Sequence, residues 1–148
     1  MALDFNKFAA QGNEFINKLS KELGHPGDSA RAGRVLKSVL QALRNQLTTE
    51  ESIQMLAQLP MFLKAVFVEN WRLSGPKKVR HLEDFFDEVR RIDGQSAKYD
   101  FYLDQDMDKA LKAVLLLLGK YISAGELDDI RAVLPKELKP IIDRAYLA

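Results

Sequence analysis

The chain contains no cysteine. That excludes disulfides, thiolate nucleophiles and Cys-ligated zinc, and it suits a cytoplasmic protein. Histidine is nearly as scarce, with His25 and His81 the only two. Neither sign of charge dominates: 22 basic residues stand against 21 acidic ones, a net charge of +1. A chain so balanced has no long-range field to draw in nucleic acid or an acidic membrane surface. Long apolar runs are missing too. The longest, Ala113 to Leu118, is far short of the ~20 residues that a membrane span needs. The opening Met-Ala-Leu-Asp-Phe-Asn-Lys lacks the basic start and apolar stretch of a secretory signal. No segment alternates with period two for long enough to be read as a strand. What is left is a single all-α domain of 148 residues, large enough to bury a core without metal or disulfide.

What is present is a repeat. Residues 29–71 recur as residues 104–146, in order and without a gap, at a constant shift of 75. Eleven pairs are identical, among them Leu36/Leu111, Lys37/Lys112, Val39/Val114, Leu59/Leu134, Pro60/Pro135 and Leu63/Leu138. Unrelated windows of this length would share roughly three. Such a duplication organises the whole chain: repeat 1 covers about 4–71, repeat 2 about 79–148, and 72–78, with Gly75-Pro76, is the joint.

Apolar residues at three- and four-residue steps predict eight helices, four in each repeat. Helix 1 runs from about Asp4 to Leu23 and is stopped by Gly24; Asp28 or Ser29 caps helix 2. Thr48 with Glu51, and Ser123 with Glu126, stand at capping-box spacing at the starts of helices 3 and 7. Pro60 and Pro135 suit the first position of helices 4 and 8, which run to about Trp71 and Tyr146. His81 starts helix 5, Gly94 to Tyr99 is a loop, and Asp104 caps a helix 6 that ends near Ile122. Pro140 falls within helix 8 and should kink or restart it. Each four-helix unit is small, so the two are expected to share one core across a pseudo-two-fold axis.

The segment Gly125-Glu126-Leu127-Asp128-Asp129-Ile130-Arg131-Ala132-Val133-Leu134-Pro135-Lys136 resembles the "GELDDVRAQLP" signature of the bacterial domain of unknown function 2267. Ala57-Gln58-Leu59-Pro60 resembles the same family's first-copy "AQLP". The likeness covers nearly the whole chain and includes the duplicated layout. Val133 departs from it, standing where the second motif often has Gln. The resemblance implies an all-helical, globin-like fold in a cytoplasmic bacterial protein, and it implies no catalytic residue.

Reactive constellations are hard to assemble. Haem needs an axial histidine inside a helix, whereas His25 lies in a Pro-Gly turn and His81 at a helix start. Glu22 and His25 have the spacing of a di-iron motif, but Gly24 breaks the helix between them. Asp128 and Asp129 diverge by about 100° on a helix and favour its dipole instead. Asp84, Asp87 and Glu88 read as a solvated face of helix 5. Lys77, Lys78, Arg80, Arg90 and Arg91, with Arg31, Arg34, Lys37 and Arg44 on helix 2, are interspersed with acids. They lack the one-signed stripe that a nucleic-acid site needs and are expected to be a partly paired surface. No phosphate loop or nucleophile elbow appears. The chain is therefore read as a non-enzyme with no cofactor and no metal.

The two copies also differ. Ile53, Leu56, Met61, Phe62 and Val68 are matched in repeat 2 by Asp128, Arg131, Lys136, Glu137 and Asp143. An apolar strip where the sister copy is charged is expected to be covered, either by another part of the chain or by a partner. These five residues are the candidate interaction surface, for a protein partner or a second copy. Trp71 and Tyr146 are candidate bundle-end or pocket aromatics. The leading functional reading is a protein-interaction or self-association module. The alternative is a small-ligand-binding domain with a cavity between the repeats, near the Trp71 end.

Overall fold

The structure, a computed structural model, describes residues 3–73, 75–134, 136–140, 142 and 143. Seven α-helices of two turns or more build it: α1 (Phe5–Glu22), α2 (Ser29–Gln46), α3 (Thr49–Gln58), α4 (Met61–Val68), α5 (Leu82–Asp93), α6 (Asp104–Leu118) and α7 (Ala124–Val133). No strand occurs among the described residues. The fold is all-α as expected, but with seven such helices rather than eight. The missing one is the helix predicted from Pro135. Lys136–Leu138 forms a 3-10 turn. Pro140 has no N–H to give the Lys136 carbonyl, and its ring crowds that carbonyl, so the 3-10 turn is not continuous with an α-helix. Helical residues resume at Lys139 and Pro140 and include Ile142 and Asp143; proline sits there in a first turn that does not need its N–H. Pro135 and Tyr146 lie outside the described residues.

Local chemistry sets the other boundaries. Asp4 and Asp28 cap α1 and α2, accepting from the N–H groups of Lys7 and Arg31. Gly24, at φ 84°, takes the left-handed turn that ends α1. Thr48 makes the full capping box: its hydroxyl accepts the Glu51 N–H at 3.1 Å, and Glu51 accepts the Thr48 N–H at 2.8 Å. The second copy is only half a box. Ser123 accepts the Glu126 N–H at 3.1 Å, but its own N–H donates to Gln58 at 2.8 Å. Glu126 is thereby released and sits buried. Burial, then Asp129 and Glu51, pushes its pKa up.

Three expected boundaries move. Helix α4 stops at Val68, short of Trp71, because Asn70 adopts φ 57°, a left-handed conformation that asparagine tolerates. Leu103 rather than Asp104 precedes α6, and its N–H is taken by the Asp106 carboxylate at 2.9 Å. The same helix ends at Leu118, before Ile122, with the Gly119 and Tyr121 N–H groups closing its last turns. The expected Gly94–Tyr99 loop is a 3-10 turn, Gly94–Ser96, that runs into a single α-turn, Ala97–Asp100.

Burial recurs at the 75-residue spacing. Twelve apolar pairs 75 residues apart, from Ala32/Met107 to Phe67/Ile142, are buried on both sides. Helices α3 and α7 begin and end at matching positions, and α2 and α6 begin at matching ones. Helix α2 is the hub, packing against α1, α4, α5 and α6; eleven of its 18 residues are buried. Helix α1 crosses α4 where Gly12 lacks a side chain: a Cβ there would come within 3.3 Å of Phe62 Cβ.

Candidate ligand groove

A helix buried on nearly every side should be apolar nearly all round. Helix α2 instead buries Ser38, Gln41, Arg44 and Gln46, and the last three act as hydrogen-bonding hooks to other segments. Ser38 is satisfied locally by the Arg34 and Val35 carbonyls. Gln41 donates to the Val66 carbonyl at 3.0 Å. The Arg44 guanidinium donates to the carbonyls of Phe67 (2.7 Å) and Glu69 (2.9 Å), and to Asn45 Oδ1. These carbonyls lie at the C-terminal end of α4, where helix-internal donors run out and the dipole is negative. Gln46 grips the following segment from both amide atoms: Nε2 donates to the Lys77 carbonyl at 3.1 Å, and Oε1 accepts the Val79 N–H at 3.0 Å. The Lys77 N–H completes the clamp on the Asn45 carbonyl at 2.8 Å. What the sequence presents as a joint is thus a strap tied across the end of α2.

Between α2, this strap and α5 lies a groove of about 530 Å³. Helix α2 lines it with Lys37, Gln41 and Arg44, the strap with Trp71, Arg72 and Lys77, and α5 with Arg91. Five of these side chains are cationic. Lys37 is paired with Glu69 at 3.2 Å and Arg91 with Glu88 at 2.7 Å. Arg44, Arg72 and Lys77 form no salt bridge among the described residues, although Glu88 acts on Arg44 and Lys77 at longer range. Burial pulls the Arg44 pKa down, while the Arg91 hydrogen bond draws Glu88 below the usual carboxylate range. Trp71, half-buried, meets Phe67 edge-on at 5.9 Å.

A second polar cluster lies at the other end of α2. Asp100, buried at the end of its α-turn, receives Arg34 through two bonds (2.8 and 2.9 Å) and Arg31 through one (3.3 Å). Arg31 also reaches the Tyr99 carbonyl at 2.7 Å. Asp93 stands beside Asp100, and its Oδ2 is buried without a hydrogen-bond partner among the described residues. Burial and the neighbouring Asp100 push Asp93 up to about 7. Burial would raise Asp100 too, but bonds from Arg34, Asp93 and Arg31 hold it below the usual range.

The model of the family described as uncharacterized conserved protein (DUF2267) matches residues 12–141. The chain belongs to the DUF2267 family. No curated protein matches it. The match spans α1 to the 3-10 turn at 136–138, so both the groove and the acid pair fall within the family region. Among the described residues, no three His, Asp or Glu side chains are grouped to hold a metal, and no helix is long and apolar enough to cross a membrane. His25 and His81 are both exposed.

Within this DUF2267 chain the five candidate surface residues separate. Ile53, Met61 and Val68 are exposed by 54, 47 and 42%. Leu56 and Phe62 are half-buried against the core. Phe62 lies 5.6 Å from Phe15 and 6.1 Å from Tyr121, ring to ring, beneath α1. Trp71 is on the groove wall; Tyr146 is outside the described residues. Two expectations about charge are corrected. Arg31 and Arg34 serve a buried acid rather than a solvated surface. Glu88 is not part of a solvated face: it takes bonds from Asn45 and Arg91. Sequence reasoning also missed the hooks. Their trace is a polar stripe, Lys37, Gln41 and Arg44, at helical 4–3 spacing, where repeat 2 has Lys112, Leu116 and Gly119.

Proposed function

We propose that this chain is a non-enzymatic, cytoplasmic ligand-binding module in which two pseudo-symmetric repeats share one core. Its ligand occupies the groove beside Trp71. The observation that carries this reading is the groove itself. Its ~530 Å³ falls within the usual range of small-molecule sites, and polar groups from three elements converge on it. The hooks of α2 hold its walls, so the site is formed before a ligand arrives. Trp71 is the only tryptophan, so its emission reports directly on occupancy. A thermal-shift screen of polar metabolites should yield a compound that both raises Tm and perturbs Trp71 fluorescence. If every stabilising compound leaves Trp71 unperturbed, the groove is not the binding site.

The apolar strip supports a second reading, self-association through Met61 and Val68. These residues share the exposed face of α4 with Ala65, whereas the matching positions in repeat 2 are Lys136, Pro140 and Asp143. On this reading, light scattering finds a dimer that Met61→Lys with Val68→Asp converts to monomer. A wild-type chain that is already monomeric sinks it.

A further inference from the structure

We propose that the groove takes a small polyanion, a molecule carrying two or more phosphoryl groups. The inference rests on the ligand-binding reading and names the class of ligand. It starts from Arg44. Arg44 as a residue is 4% exposed, yet every acceptor its guanidinium meets is neutral: two backbone carbonyls and one amide oxygen. A cation taken out of water is costly unless a negative charge compensates it. The nearest carboxylate that influences Arg44 is Glu88, and its oxygens are already engaged by Asn45 and Arg91.

The rim repeats the imbalance. Arg72 and Lys77 stand on the strap on either side of Gly75, and both line the groove with no carboxylate in salt-bridge reach among the described residues, Lys77 being felt by Glu88 only at longer range. Clamping by Gln46 and Asn45 holds the Lys77 backbone in place. Three cations with no carboxylate in salt-bridge reach among the described residues therefore face one concave site, with Glu88 acting on Arg44 and Lys77 only at longer range, in a chain whose net charge is only +1. The concentration is local, so it is not a by-product of a basic protein. Arginine forks and a lysine ammonium together suit phosphoryl oxygens, which accept several charge-assisted bonds at once. The cations converge into a hollow and do not run along a track, which favours a compact ligand over a nucleic-acid strand.

The test titrates the full chain with sodium pyrophosphate and with ATP at constant ionic strength, following Trp71 emission and Tm. Both ligands should give a saturable change, whereas adenosine and sodium chloride give none. Arg72→Ala with Lys77→Ala removes two exposed cations. It should weaken binding by more than about tenfold while leaving the melting temperature of the free chain unchanged. Lys7→Ala with Lys21→Ala removes the same charge from exposed positions of α1 and should leave binding intact. Four results overturn the proposal: no saturable response to either polyphosphate, equal binding by the groove variant, tighter binding of citrate than of pyrophosphate, or tighter binding of a single-stranded oligonucleotide. If neutral or cationic compounds perturb Trp71 while polyphosphates do not, the anion class fails but the ligand groove stands. If nothing perturbs it, both fail.

Discussion

Arg44 shows how one side chain can terminate a helix that it does not belong to. Its bonds to the Phe67 and Glu69 carbonyls replace the donors that α4 lacks at its C-terminal end. Arg44→Met keeps the apolar stem and removes those donors, so it should cost about 2–3 kcal/mol, measured by urea denaturation. A cost below ~0.5 kcal/mol would mean that water substitutes for the guanidinium. The acid pair makes a prediction in pH. Folded Asp93 keeps its proton up to about pH 7, whereas the unfolded side chain releases it near ~4. The folded state therefore binds more protons through this window, and stability falls as pH rises across it. Asp100 acts in the opposite sense, but its contribution is lost only as pH falls through its own lowered value. Asp93→Asn can still donate to Asp100 and cannot titrate. Its Tm should exceed that of wild type at about pH 8, with the advantage shrinking towards about pH 5. Identical pH profiles for the two proteins would show that Asp93 holds no proton in this window.

Helix starts were among the most legible elements, because a cap and its third residue are local in sequence. Thr48→Ala should cost about 1 kcal/mol. The two copies nevertheless part company at the carboxylate. Glu51 closes its box, whereas Glu126 is buried and its pKa is raised. Glu126→Gln should therefore leave stability unchanged or raise it by up to ~1 kcal/mol at neutral pH, while Glu51→Ala lowers it; denaturant midpoints of the two variants decide the matter. The half-box was not visible in sequence because the competitor for the Ser123 N–H is Gln58, 65 residues away. Helix ends were less legible. The stop at Val68 depends on Asn70 entering a left-handed conformation and on hooks from another helix, and neither leaves a periodic mark. Pro140 was legible as a disruption, and the restart was the form it took: a 3-10 turn at Lys136–Leu138 gives way to helical residues from Lys139.

At the scale of the molecule, apolar spacing and the 75-residue shift revealed much of the core in advance, because burial recurs at most positions where both copies carry a large apolar side chain. The groove was hidden for the opposite reason. It is built from what repeat 1 alone possesses, and the near-zero net charge averages its cations away. Arg31 and Arg34 looked solvated since their partner, Asp100, lies 69 and 66 positions further on. That separation bears on synthesis. Helix α2 is made early, but its polar side chains are answered in stages: first by the end of α4, then by the strap, and last by Asp100. While a ribosome is still short of residue 100, Arg31 and Arg34 stay hydrated, and the ion pairs that tie the start of α2 to the Ala97–Asp100 turn are absent. An N-terminal fragment ending before the acid pair should therefore stay loosely packed and open to proteases, and the chain should close cooperatively only once the Ala97–Asp100 turn has emerged.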